Sequence, residues 1–155
     1  MESENREINI CIRARPLLQH EIENKYFDTT HAQKDEFTFM EPKINFKQQP
    51  IIEKHDFKVD HAYGPNDDND KIYNDVAVPL VDLSLKGGLA GIFAYGQTGS
   101  GKTYTIQGIM QRISTDLFTR QSGNLVDDEG NSRVELYVSF FQLLGDVAED
   151  LLGSK

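Results

Sequence analysis

Ile8, Ile10 and Ile12 alternate with Asn9, Cys11 and Arg13 near the start of the chain. This two-residue period puts every second side chain on one face of a strand. Pro16 stops it, because proline offers no amide to a ladder. Phe37-Thr38-Phe39 and Ile44-Asn45-Phe46 are shorter strand-like pieces on either side of Pro42, and together they predict a small antiparallel lobe. Alternation returns over Asp56–Asp60 and ends at the turn signal Gly64-Pro65-Asn66. From Asp70 to Lys86 the period changes. Ile72, Val76, Leu80 and Leu83 fall on one helical face, with Pro79 expected to kink the helix and Gly87-Gly88 to end it. Leu89–Tyr95 is a short apolar run of the kind that forms a strand buried on both faces.

A glycine-rich stretch follows, then a second helix from about Lys102. Its core stripe is predicted at Ile106, Met110, Ile113 and Leu117, with a break or bend at Gly108. Asp127–Asn131 reads as a turn. Val134, Leu136, Val138 and Phe140 alternate as a strand, and Val147–Leu152 reads as a short helix or strand. Strand, helix, buried strand, helix and strand in that order define an α/β chain with crossover helices around a mixed central sheet.

Charge and composition narrow the classes. The 155 residues suit one domain, and 38% hydrophobic with 26% charged residues is globular rather than disordered composition. No apolar run approaches the roughly 20 residues that span a bilayer, and the polar segment Met1–Arg6 has no apolar stretch of the signal-peptide kind. Membrane partners are therefore not expected. Cys11 has no second cysteine to pair with, so it reads as a reduced core thiol of an intracellular protein. A net charge of −9, with lysines only scattered through Lys43–Lys58, argues against nucleic acid as a partner. Asp67-Asp68-Asn69-Asp70 lacks the central glycine and distal glutamate of a calcium loop and reads as a polar cap for the next helix. His20, His31, His55 and His61 show no metal-ligand spacing.

The chemistry concentrates in Gly96-Gln97-Thr98-Gly99-Ser100-Gly101-Lys102-Thr103, which fits G-x-x-x-x-G-K-[ST] between a predicted strand and a predicted helix. Gly96, Gly99 and Gly101 permit backbone conformations that a β-carbon forbids. The amides then form a concave anion nest, reinforced by the positive end of the helix. Lys102 would face the β- and γ-phosphates, and the Thr103 hydroxyl would meet Mg²⁺, which takes oxygen ligands. The plain alternative is a glycine turn before a helix with an exposed lysine; the flanking elements favour the nucleotide reading.

The run Gly91–Thr105, centred on Phe93-Ala94-Tyr95-Gly96-Gln97-Thr98-Gly99-Ser100-Gly101-Lys102-Thr103-Tyr104-Thr105, resembles the P-loop signature of kinesin motor domains. Other segments resemble the same family in the same order. They are Ile10–Pro16, ending in R-x-R-P, then Phe57–Tyr63, Ile72-Tyr73 with Pro79-Leu80-Val81, and Val138–Gln142 with Asp150-Leu151-Leu152. The resemblance implies an ATP- or ADP-binding site with Mg²⁺. It implies that Arg13, Arg15 and Pro16 line the adenine, with Tyr104 closing the other side, a geometry suited to stacking and cation–π contact. A solvated arginine pair at a strand end is the other reading of Arg13 and Arg15. Met40–Lys43 and Ile52–Phe57 resemble the internal-motor, microtubule-depolymerising kinesins, although Asn45-Phe46-Lys47 stands where that group has Lys-Val-Asp. Gln142-Leu143-Leu144 replaces the family's E-I-Y.

A complete kinesin motor is about twice this length, so the resemblance implies an N-terminal half, residues 1–155 forming a partial motor domain. The switch motifs N-x-x-S-S-R and D-x-x-G-x-E do not occur in the sequence. Phosphoryl transfer needs charge stabilisation and a positioned water besides the cradle. The expectation is therefore Mg·ATP binding with little hydrolysis and no catalytic residue within the chain. Microtubules would be reached through the other half, and unpaired sheet edges would invite a covering partner chain. The implied setting is cytoplasm and cytoskeleton, with a cilium as one candidate and a coiled coil in the full-length protein. The alternative function is a shortened, non-catalytic kinesin homologue serving as a structural module.

Overall fold

The computed structural model describes residues 8–124 and 136–153, with the backbone alone over 120–124. The chain divides into two compact units, Met1–Ile113 and Ser114–Lys155.

In the first unit, strand β1 (Cys11–Arg13) pairs in parallel with β5 (His61–Tyr63), Ile12 standing opposite Ala62. Parallel neighbours need a long connection. Here it holds helix α1 (Gln19–Glu23) and a three-stranded antiparallel sheet, β2 (Thr30–Gln33), β3 (Glu36–Ile44) and β4 (Pro50–Lys58), in the order β2-β3-β4. The expected lobe is therefore present, with longer strands than the sequence pattern marked. β3 runs straight through Pro42, for a reason visible in its hydrogen bonds. The Met40 amide points away from β4 to the Thr29 carbonyl, at 2.8 Å. Pro42, two residues on, turns its ring nitrogen the same way, past the end of β2, so no ladder bond is lost. Asn45 and Phe46 belong to the turn rather than to a strand: the Asn45 side-chain oxygen accepts from the Lys47 and Gln49 amides, both at 2.9 Å. The Asp56–Asp60 alternation is likewise split, β4 ending at Lys58 and β5 beginning at His61.

The helix after β5 starts as expected. Asp68 caps it by accepting from the Lys71 amide at 2.8 Å. α2 (Asn69–Ile72) passes into a π-helical turn, Tyr73–Ala77, and then α3 (Val78–Leu85). The disturbance expected from Pro79 takes this form. Proline cannot donate four residues back and crowds the carbonyl there, and the wider turn just ahead relieves both. The turn also buries Tyr73 and Ala77. Gly87, at φ +87°, closes the helix, and the Gly88 amide returns to the Leu83 carbonyl at 3.0 Å.

Tyr63, Ile72, Tyr73, Ala77 and Ile109 form one core cluster, with Val76, Val78, Ile92 and Ile113 packed on it. Ala14, Phe37 and Ala62 form a second, joined by Ile12, Ala32 and Val59. Ile109 comes from α4 (Lys102–Asn124) and corrects the predicted stripe. Ile106, Ile109 and Ile113 turn inward at three- and four-residue steps, while Met110 is half exposed. Gly108 neither breaks nor bends α4 out of its helix. It lies buried where a β-carbon would overlap the Asn69 side chain.

Three further expectations change. Leu89–Tyr95 is not a strand, and Leu89, Phe93 and Tyr95 are almost fully exposed, only Ile92 reaching the core. A strand exists only beside a neighbour that takes its amides and carbonyls, and no described strand pairs with this segment. Cys11 is free and exposed rather than a core residue, on a strand that pairs with one neighbour among the described residues. Ile8 and Ile10, which precede β1, are exposed as well.

In the second unit, Leu117 is half-buried. β6 (Phe141–Leu144) and β7 (Val147–Asp150) form a hairpin around Gly145 at φ +59°. A two-residue turn opening on a left-handed glycine fixes this register; one further bond runs from the Leu151 amide to the Phe140 carbonyl at 2.8 Å, and Leu136–Phe140 form no strand, against the alternation that predicted one there. Of the predicted Val147–Leu152 element, Val147–Asp150 is strand and Leu151 and Leu152 lie beyond it. Val134 and the predicted turn at Asp127–Asn131 lie outside the described residues. No described helix is long and apolar enough to cross a membrane.

Candidate functional site: a phosphate cradle at the start of α4

Gly96, Gly99 and Gly101 have φ of +151°, +81° and +93°. The last two are deep in the left-handed region that favours glycine. Between them the Ser100 amide donates to the Gln97 carbonyl at 3.2 Å, closing a tight turn. The first helical hydrogen bond of α4 runs from the Thr105 amide to the Gly101 carbonyl, 3.0 Å long. The amides ahead of Thr105 are therefore those that helix geometry leaves without a carbonyl four residues back. They gather at the positive end of a 23-residue helix. Lys102 curls over the loop, its Nζ donating to the Gly96 carbonyl at 2.9 Å and to that of Gln97 at 2.8 Å. Gln97, Thr98, Ser100, Thr103 and Tyr104 are exposed.

The donor set fits a nucleotide triphosphate. Amides, a helix end and an ammonium converge on one loop, and among the described residues the ammonium is held by neutral carbonyls, weaker partners than phosphate oxygens. A β-carbon on Gly99 would meet no atom within 4 Å, so the loop faces open space there. Thr103 has an exposed hydroxyl one residue beyond Lys102, a hard oxygen of the kind Mg²⁺ takes.

The structure also brings Arg13 and Arg15 of the distant R-x-R-P segment to the start of α4. Arg13, on β1, lies over the Tyr104 ring with 5.3 Å to its centroid. Its guanidinium donates to Asn69 Oδ1 at 2.6 Å, Thr105 Oγ1 at 2.8 Å and the Asp67 carbonyl at 3.1 Å. Arg15 stands beside the loop, 3.8 Å from where a Gly101 β-carbon would be. It forks onto Glu21 at 2.7 and 2.6 Å and donates to the carbonyl of the exposed Pro16 at 2.9 Å. Glu21 in turn accepts from the Leu18 amide at 2.7 Å, capping α1. The hydrogen bonds from Arg15 and Leu18 hold the Glu21 carboxyl at a pKa of about 2, below its ordinary 4.5. A carboxylate with a depressed pKa stabilises the fold above its unfolded value, and that contribution fades as pH falls towards the folded one. The thermal midpoint of the protein is therefore expected to decline from about pH 4.5 towards pH 2. Melting curves across that range should show a shallower decline for Glu21→Gln; equal slopes would remove Glu21 from the account.

Sequence spacing did not reveal Asn69, Asp67 and Thr105 as partners of Arg13. One signal was present: a buried glycine within a helix, Gly108, implies a neighbour in the place of its side chain. Spacing also missed His55. Across β3 and β4, the ligand atoms of Glu41, Glu53 and His55 lie within 4.8 Å of one another. The Lys43 ammonium already joins the two carboxylates, at 3.1 and 2.7 Å, and holds both below their usual pKa range.

A glycine-rich loop at the start of a helix, with a lysine folded over it and a parallel strand pair nearby, is a P-loop nucleotide-binding fold. The chain belongs to the kinesin motor domain family, whose profile it matches over residues 13–155. It is 32% identical to kinesin-like protein KIN-13A of Oryza sativa subsp. japonica over 150 residues, 96% of this chain and 18% of that protein. It is also 32% identical to kinesin-like protein KIN-13B of Arabidopsis thaliana over 148 residues, 96% of this chain and 21% of that protein. Its fold matches a KIF14 dimer in a two-heads-bound state, with AMP-PNP and in complex with a microtubule. The TM-score is 0.65 at 25% identity, over 81% of this chain and 36% of that one. The chain thus spans about a fifth of the length of these curated relatives.

Proposed function

We propose that this chain is the Mg·ATP-binding portion of a microtubule-based kinesin motor. The single observation that carries the reading is the left-handed glycine loop with Lys102 folded over it at the start of α4. Gly96, Gln97, Thr98, Gly99, Ser100 and Gly101 wrap the phosphates with their amides, Lys102 supplies the charge and Thr103 the hydroxyl for Mg²⁺. Arg13, Arg15, Pro16 and Tyr104 border the adenine. Bound ATP would supply the phosphoryl group whose loss drives a motor. Family membership and the AMP-PNP and microtubule in the related KIF14 complex support the assignment. Likeness to KIN-13 proteins supports movement or remodelling of microtubules and a cytoskeletal location.

The purified protein is expected to bind a fluorescent ATP analogue with Mg²⁺. Because no N-x-x-S-S-R or D-x-x-G-x-E segment occurs in residues 1–155, it should hydrolyse ATP negligibly whether or not microtubules are added. Binding titrations and a phosphate-release assay check both parts. No binding would overturn the site, and robust turnover would overturn the division of labour proposed for it.

A further inference from the structure

Asn69 is a buried polar residue, 8% exposed, at the first position of α2, and both ends of its amide are engaged. Its Oδ1 accepts from Arg13 at 2.6 Å, and its Nδ2 donates to the Tyr104 carbonyl at 3.3 Å. Chemistry fixes this orientation, since a guanidinium only donates and a carbonyl only accepts. The same guanidinium reaches Thr105 Oγ1 at 2.8 Å and lies over the Tyr104 ring. The Tyr104 carbonyl is the acceptor that Gly108 would use in an α-helix, so Asn69 inserts beside α4 where the helix has no side chain. One carboxamide thereby links β1, α2 and the first two turns of α4.

We infer that Asn69 is the positioning residue that holds Arg13 stacked on the Tyr104 ring, so that the pair forms one border of the base subsite. This deepens the nucleotide reading and rests on it. The role needs an acceptor and a donor on one short planar group. Aspartate keeps the acceptor and loses the donor. Leucine loses both. The phosphate cradle is built from other groups, so Asn69 governs the contribution of the base and not that of the phosphates.

The test compares Mg·ATP with Mg·tripolyphosphate, which has the same phosphate chain and no base, on wild-type, Asn69→Asp and Asn69→Leu proteins. Calorimetric titration should show ATP weakened roughly tenfold by Asn69→Leu and less by Asn69→Asp, with tripolyphosphate changed less than twofold. If Asn69→Leu does not fold, Asn69→Asp and Gly108→Ala, whose new β-carbon displaces the amide, carry the comparison. Equal weakening of the two ligands means a purely structural role and overturns the inference. So does an ATP-to-tripolyphosphate ratio that no variant moves. Wild-type tripolyphosphate binding that Lys102→Ala removes separates the two levels. With it present, an unmoved ratio rejects Asn69 alone; without it, the nucleotide reading itself fails.

Discussion

Lys102→Ala is expected to weaken Mg·ATP binding by about a hundredfold or more. Lys102 is the loop's own cation, and its ammonium reaches over Gly96 and Gln97, where phosphate oxygens would arrive. A hydrogen bond between charged groups contributes roughly 1.5–3 kcal/mol. Two such bonds to a triphosphate amount to about 3–6 kcal/mol, or roughly two to four decades in Kd. The fold should survive, since among the described residues the lysine bonds to two exposed carbonyls that water can satisfy. Titration with a fluorescent ATP analogue, paired with a thermal melt, measures both effects. An unchanged Kd would falsify the cradle assignment, whereas a large drop in melting temperature would point to a structural lysine instead. Lys102→Arg should restore only part of the affinity, because a planar fork does not place charge as a compact ammonium does.

Arg13→Ala carries the second large effect, on stability. Three hydrogen bonds from one guanidinium join β1 to the loop before α2, the first residue of α2 and the first turn of α4. Truncation leaves the buried Asn69 oxygen without its donor and opens a space beside Tyr104. An abandoned buried acceptor costs about 1–3 kcal/mol and more for charged partnerships, so a loss of about 3 kcal/mol is expected. Urea unfolding without nucleotide isolates this from any ligand effect. A midpoint within error of wild type would mean that the guanidinium is only a solvated strand-end charge. Arg15→Ala is the useful contrast: Arg15 forks onto Glu21, a partly exposed pair whose loss strands no buried neutral acceptor, so a smaller loss, about 1 kcal/mol, is expected.

The sequence by itself determined the parts whose chemistry is local. The glycines at 96, 99 and 101 announced a loop that only they could form, and Lys102 marked the start of the helix behind it. Asp68 capped α2 as its type and place require. Gly87 ended α3, and the family signature around the P-loop matched the kinesin motor domain. What only the tertiary structure decided were the outcomes that depend on neighbours. Leu89–Tyr95 has the composition of a buried strand, yet a strand is completed by another segment's amides and carbonyls, and none of the described strands supplies them. Ile109 rather than Met110 turned inward because three- and four-residue steps lie on nearly the same helical face, and packing chose between them. Arg13 and Asn69 are far in sequence from each other and from Thr105 and Gly108. Their clasp follows from where β1, α2 and α4 meet, since hydrogen bonds between distant residues leave no period along the chain.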